Sequence, residues 1–238
     1  MAERELTVEA AGEEAAGAET SAFAEALASH NASYAFLSRL FRREVDQATL
    51  DAIAAMRFPA ETGNAHLDAG YRGIVRFMNH SGERTRTDLA VDFLHPFIGT
   101  TQDVNGVACP YESVDTSPER LLMQDARDDV LACYRAAGIV LTDDINEPED
   151  HVGFELEFMQ LLGERALAAL REGDEDACER CLEQQRRFLA NHLMNWAEAF
   201  AADVERVAGT QFYRALGSVL LGVLQCHGEF LDEVLPPR

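Results

Sequence analysis

Apolar side chains recur at helical spacing along almost all of this 238-residue chain, and no useful length alternates apolar with polar as a strand would. The fold class that follows is all-α, a bundle of roughly 8–11 helices. Residues 1–20, rich in Ala, Glu and Gly, read as a disordered acidic tail. The rest, 21–238, reads as one helical domain. Phe23, Leu27, Tyr34, Leu37 and Phe41 mark the first helix, and Asp46 is placed to cap a second that carries Leu50, Ile53 and Met56. A third is expected over 64–79. A fourth, over 83–97, turns Leu89, Phe93, Leu94 and Phe97 one way and Asp88, Asp92 and His95 the other, the second set reading as a solvated polar face. A loop is expected over 99–117, then a helix from Ser117-Pro118 to Gly138 and another from near Pro148 to Gly173. Asp174 can cap a long helix through Phe188, Leu193, Trp196 and Phe200, and Thr210 can cap the last. The 139–147 connection is a candidate hinge.

With 47% hydrophobic residues the chain can bury a core without staples. Its five cysteines are odd in number and irregular in spacing, against a secreted disulfide framework and in favour of a reducing cytoplasm. No signal peptide and no membrane-spanning apolar run is visible, so a soluble cytoplasmic protein without membrane insertion is expected. A net charge of −22, from 20 basic and 42 acidic residues, disfavours nucleic acid and anionic membranes and favours a cationic partner. That acid concentrates locally. Between Ala136 and Gly163 there is no arginine, while Asp143, Asp144, Glu147, Glu149, Asp150, Glu155 and Glu157 supply carboxylates.

The chain contains no lysine, which removes Walker-type phosphate loops and Schiff-base chemistry. GxGxxG, HExxH, GxSxG and ExxH are absent too, so no catalytic residue, metal or cofactor is assigned. Cys178 and Cys181 form CERC without a second pair at zinc-site spacing, and read as ordinary helix residues rather than a redox or metal site.

The stretch EPEDHVGFELEFM, beginning at Glu147, mixes ionisable groups into an apolar helical face. At about 100° per residue from Pro148, Val152, Phe154, Leu156, Phe158, Met159, Leu161 and Leu162 share one arc, with Glu149, Asp150 and Glu157 on the other. His151 and Glu155 project from the middle of the apolar arc, one turn apart and able to touch, so they should be buried or line a cleft. Burying them needs answering partners. Three uses remain open: a structural pair that fixes packing, a divalent metal site, or the organisation of a ligand groove.

These residues carry a resemblance. Glu147-Pro148-Glu149-Asp150-His151-Val152 resembles the E-P-x-D-H-[IV] signature of the TorD/DmsD redox-enzyme maturation chaperones, Asp92-Phe93 through Phe97-Ile98-Gly99 resembles their D-Y/F-x-x-L-F-x-G, and Pro110-Tyr111-Glu112-Ser113 their P-Y-E-S. The order agrees, as do the Tyr34…Phe41 and His192…Trp196 helices, over about residues 21–230. His95-Pro96 departs from the pattern and should bend the end of its helix. The resemblance implies a cytoplasmic, all-helical chaperone, not an enzyme. Such a chaperone binds the twin-arginine leader of a molybdenum-cofactor or iron–sulfur oxidoreductase and delays its export by the Tat pathway until the cofactor is loaded. Carried over, the peptide-binding positions are Asp150 and His151, with Glu147 and Pro148 shaping the turn and Glu112 and Tyr111 completing the cleft. Asp150 would accept from a guanidinium, while His151 would fix the helix against 110–113. Asp92, Phe97, Gly99, Pro110, Ser113 and Glu155 would be structural. The partners implied are the leader and its client, met by a monomer or a homodimer. The competing classes are a metalloenzyme at His151 and Glu155 and a helical assembly subunit that binds the mature enzyme without reading its leader.

Overall fold

The computed structural model describes residues 3–97, 107–140 and 147–237, with side chains from Thr20 onward except those of His95 and Pro96. Among the described residues the chain is all helical, as its periodicity predicts. The elements are α1 (Glu3–Arg42), α2 (Gln47–Ala55), α3 (Ala65–Met78), α4 (Thr85–Phe97), α5 (Glu112–Thr116), α6 (Asp125–Ala136), α7 (Val152–Glu172), α8 (Glu175–Phe188), a π-helical turn (Leu189–Leu193), α9 (Met194–Val207) and α10 (Gln211–Val234). Gly99 and most of the 139–147 connection lie outside the described residues.

Two long contacts organise the bundle. α1 lies along α7, and α10 lies along α3 while also touching α9. Tyr34, Leu37, Leu40 and Phe41 of α1 are fully or almost fully buried, as are Leu156, Met159 and Leu162 of α7. Each such side chain contributes about 1.5–3 kcal/mol by leaving water. Rings of Phe41, Phe97 and Phe200 meet at centroid separations of 5.4–6.3 Å, joining α1, α4 and α9. α3 approaches α10 closely because its contact face carries glycine. A Cβ on Gly70 would lie 2.9 Å from the Val219 backbone nitrogen and 3.0 Å from the Ala215 carbonyl.

Several helix ends follow the capping residues read in the sequence. The side chains of Asp46, Asp174 and Thr210 accept from backbone N–H groups of α2, α8 and α10, and Gly173 ends α7 in the left-handed region at φ 75°; Asn64, for which no cap is expected, does the same for α3.

Other expectations need correction. α6 starts at Asp125, not at Ser117-Pro118, because Ser117 instead closes α5 and the chain then takes positive φ at Arg120 (51°) and Met123 (61°). That turn is pinned by Arg120, 3.0 Å from Asp115. α7 starts at Val152, one turn after Pro148, because residues 150–152 pair with another segment. The long helix after Asp174 is interrupted by the π turn, which divides it into α8 and α9. Asp92 does not face solvent: it is 7% exposed and accepts from the N–H groups of Gly209 and Thr210, each at 2.7 Å, and from the Thr210 hydroxyl. Those amides open α10 and have no intrahelical acceptor, which is why a carboxylate is drawn there. Leu94 and Met56, expected inside, are 46% and 41% exposed. α1 extends through residues 3–20, where a disordered tail is expected, and the alanines and glutamates there are strong helix formers.

Candidate functional site

The segments Pro110–Ser113 and Glu147–Val152 are far apart in sequence and paired in space. Tyr111 and His151 oppose each other as an antiparallel pair. The Glu112 N–H donates to the Asp150 carbonyl at 3.0 Å, and the Val152 N–H donates to the Pro110 carbonyl at 2.8 Å. Pro110 has no N–H of its own, so only its acceptor is used. The Asp150 carboxylate is fully buried and accepts from the Ser113 N–H at 2.8 Å. It therefore stands inside rather than on the polar face where the helical wheel sets it, because α7 begins only two residues later. The Pro148 carbonyl accepts from the His151 N–H at 3.2 Å and closes the turn.

His151 caps α7, its Nδ1 accepting from the Gly153 N–H at 2.9 Å. This bond needs an unprotonated nitrogen. Burial, helped by the charge of Arg42, lowers the His151 pKa to about 3 and keeps the ring neutral. Arg42 itself sits 4.2 Å over the Phe154 ring and 2.5 Å from Glu157, so α1 grips the start of α7. Ser38 of α1 donates to the Gly153 carbonyl at 2.8 Å.

Around this clasp lies a half-exposed rim. The Tyr111 hydroxyl donates to exposed Glu147, and burial followed by that bond pushes its pKa far up. Arg127 of α6 holds Glu149 with two bonds, at 2.5 and 3.0 Å, and the Tyr134 hydroxyl donates to the Glu149 carbonyl at 3.1 Å.

Beneath the clasp is a buried polar cluster. Glu112 is 3% exposed, Glu155 is fully buried, and the π turn brings in His192 at 7% exposure. His192 Nδ1 is 2.9 Å from Glu112 Oε2, and the Trp196 indole donates to Glu155 at 3.3 Å. Burial pushes the Glu155 pKa well above the carboxylate range, reinforced by repulsion from Glu112 and Asp150, so the protonated form is favoured there. Burial disfavours an imidazolium at His192, but its hydrogen bonds to Cys133 and Glu112 outweigh this and raise its pKa to about 9. Glu155 and His151, expected to touch, take different partners: Trp196 in one case, the Gly153 amide in the other. Among the described residues no group of three His, Cys, Asp or Glu side chains is placed to hold a metal ion.

The structure thus gathers Glu147, Pro148, Asp150, His151, Pro110, Tyr111, Glu112, Ser113 and Glu155. Asp92 and Phe97 stand apart, Asp92 at the start of α10 and Phe97 among Phe41, Phe93, Phe200 and Tyr213. The spacing of residues did not give Arg127, Cys133 and Tyr134, since nothing local in α6 marks them. His192 and Trp196, one turn apart, were the only linear hint of the helix that completes the cluster.

The profile of the family described as nitrate reductase delta subunit matches residues 64–202, which takes in all three motif segments. Relatives named chaperone protein TorD agree with it. One from Photobacterium profundum is 31% identical over 149 residues, 63% of this chain and 66% of that one. Others are from Vibrio atlanticus, 27% identical over 83% of this chain and 92% of the relative, and from Vibrio cholerae, 27% identical over 85% and 91%. The chain belongs to the TorD/DmsD family of maturation chaperones. It is a chaperone-family protein and not an enzyme. In this TorD-type chain two of the three segments that resemble the family's signatures form one object: the clasp is made of their backbones, and Glu112 and Asp150 lie buried in its floor. Among the described residues no helix is long and apolar enough to cross a membrane.

Proposed function

We propose that this protein works in the cytoplasm, where it binds the twin-arginine leader of a molybdenum-cofactor or iron–sulfur oxidoreductase and helps that client mature before Tat export. The observation that carries the reading is the pairing of 110–113 with 147–152, which puts Glu147 and Tyr111 at one exposed rim over a floor of buried acid. A guanidinium suits a carboxylate of this kind, and the net charge of −22 draws a cationic peptide toward it. The apolar part of a leader has a partner as well. Leu121, Leu122 and Met123, 56%, 40% and 60% exposed, sit consecutively in the loop between α5 and α6, next to Glu119 and Asp125. Exposed apolar groups rimmed by charge are a usual mark of an interaction surface. Within this reading Glu147 and Tyr111 meet the leader, Pro148 shapes the turn, and Asp150, His151 and Glu112 hold the rim in shape from behind.

Calorimetric titration with the leader peptide of an oxidoreductase encoded nearby tests this. Glu147→Gln and Tyr111→Phe are expected to weaken binding by about 3–10-fold with an unchanged melting temperature, the more so at low salt. Asp150→Ala is expected to lower both affinity and stability, because it strands the Ser113 amide. Absence of wild-type binding to any leader would sink the proposal. The description of the matching family as a nitrate reductase subunit supports a second reading, an assembly subunit that holds the mature enzyme without its leader. Binding to a client from which the leader has been deleted separates the two.

A further inference from the structure

Leader binding leaves Cys133 and His192 unused, although they join Glu112 beneath the rim. Cys133 of α6 places its Sγ 3.6 Å from His192 Nε2, while His192 Nδ1 is held 2.9 Å from Glu112 Oε2. A thiol within reach of an imidazole whose other nitrogen is oriented by a carboxylate is the arrangement that yields a nucleophilic thiolate. Cys133 is half-buried, packed at the edge of the core rather than enclosed in it. The groups facing His192 come from several elements: Glu112 from α5, Cys133 from α6, and the Phe188 ring stacked at 4.6 Å, with Asp150 and Glu155 repelling the same carboxyl cluster. No cation is among them, and the imidazolium is favoured up to a pKa of about 9. Among the described residues the other four cysteines have no such partner, and burial pushes the thiol of each upward.

We propose that Cys133 is a site of reversible modification by small disulfides, activated by His192 and Glu112. Cys133 and His192 share one proton, which rests on His192 Nε2 and leaves Cys133 Sγ as the thiolate, and that thiolate attacks one sulfur of the disulfide. The Cys133 S–S bond forms as the reagent's own S–S bond breaks, and the departing thiolate takes the proton back from the imidazolium. Cys133 is thereby oxidised, the reagent's other half leaves as a reduced thiol, and excess thiol reverses the step. Modified Cys133 no longer engages His192, so the link between α6 and the π turn under the clasp is lost. A leader-binding chaperone would in this way register the thiol–disulfide state around it.

The test uses the full chain and cystamine, a small cationic disulfide suited to an acidic protein. Labelling is quenched at intervals from about pH 5 to about pH 9 and located by peptide mass mapping, with Cys109, Cys181 and Cys226 as internal controls. Cys133 is expected to label at least about tenfold faster than the controls near pH 6, with a rate that changes little toward pH 9. His192→Asn is expected to bring it to the control rate, and Glu112→Gln to lower it while the fold persists by circular dichroism. Labelling of Cys133 no faster than the controls, or with the steep pH rise of an ordinary thiol, overturns the proposal. So does a folded His192→Asn that keeps the wild-type rate. If His192→Asn does not fold, Glu112→Gln and the wild-type pH profile still decide.

Discussion

Glu155 is the residue whose state tells most about the cluster. Fully buried beside Glu112 and Asp150, it is pushed toward its protonated form, and it fills space and accepts from Trp196. Glu155→Gln keeps both functions and is expected to cost less than about 1 kcal/mol, whereas Glu155→Ala, which leaves a cavity and a stranded indole N–H, should cost about 2–4 kcal/mol. Urea unfolding at neutral pH compares them, and equal losses would show that Glu155 is ionised. Periodicity marked His151 and Glu155 as inward, and both are. Their partners were not legible, because Trp196 and the Gly153 amide are chosen by tertiary packing and by the register of the helix start. Asp150 shows the limit most clearly. A wheel begun at Pro148 puts it outside, but the chain spends residues 150–152 on pairing, and the carboxylate turns inward to the Ser113 amide.

At the scale of elements, capping residues located α2, α8 and α10, since a cap is a local interaction that sequence displays directly. The start of α6 and the π turn were hidden for the opposite reason. Arg120 answers Asp115 and, at 3.9 Å, Asp203, and the π turn is set where His192 must reach Glu112 across the bundle. The α3–α10 contact rests on Gly70, whose missing side chain lets backbone meet backbone. Gly70→Ala is expected to destabilise by about 1–3 kcal/mol, because the obstructing atoms include the Val219 nitrogen and the Ala215 oxygen, which cannot rotate away. A melting temperature equal to wild type would mean that the two helices slide apart freely.

At the scale of the whole molecule, stability should peak near neutral pH. Buried His151 and His227 and half-buried His30 are held neutral, with pKa values lowered from 6.5 to about 3, 3 and 4, in each case chiefly by loss of water. Their contribution is complete above the unfolded value and declines as pH falls, since only the unfolded chain then takes up the protons. Each can cost up to about 1.4 kcal/mol per pH unit in that window. His192 works in the other direction: raised to about 9, it supports the fold below pH 6.5 and loses that support as pH climbs toward 9. Melting temperature measured against pH should trace this dome. His227→Phe, which removes one buried imidazole and its 2.7 Å bond to Tyr34, should lower stability at neutral pH yet flatten the acid limb. An acid limb of unchanged slope would place the lost protons elsewhere. The same closure of α10 over α3 has a consequence for synthesis. Leu67 and Ile74 of α3 leave the ribosome early, but the helix that shields them is complete only when residue 234 has emerged. A nascent chain therefore carries a sticky, uncovered flank through most of its translation, and a pause before α10 is where aggregation during synthesis should concentrate.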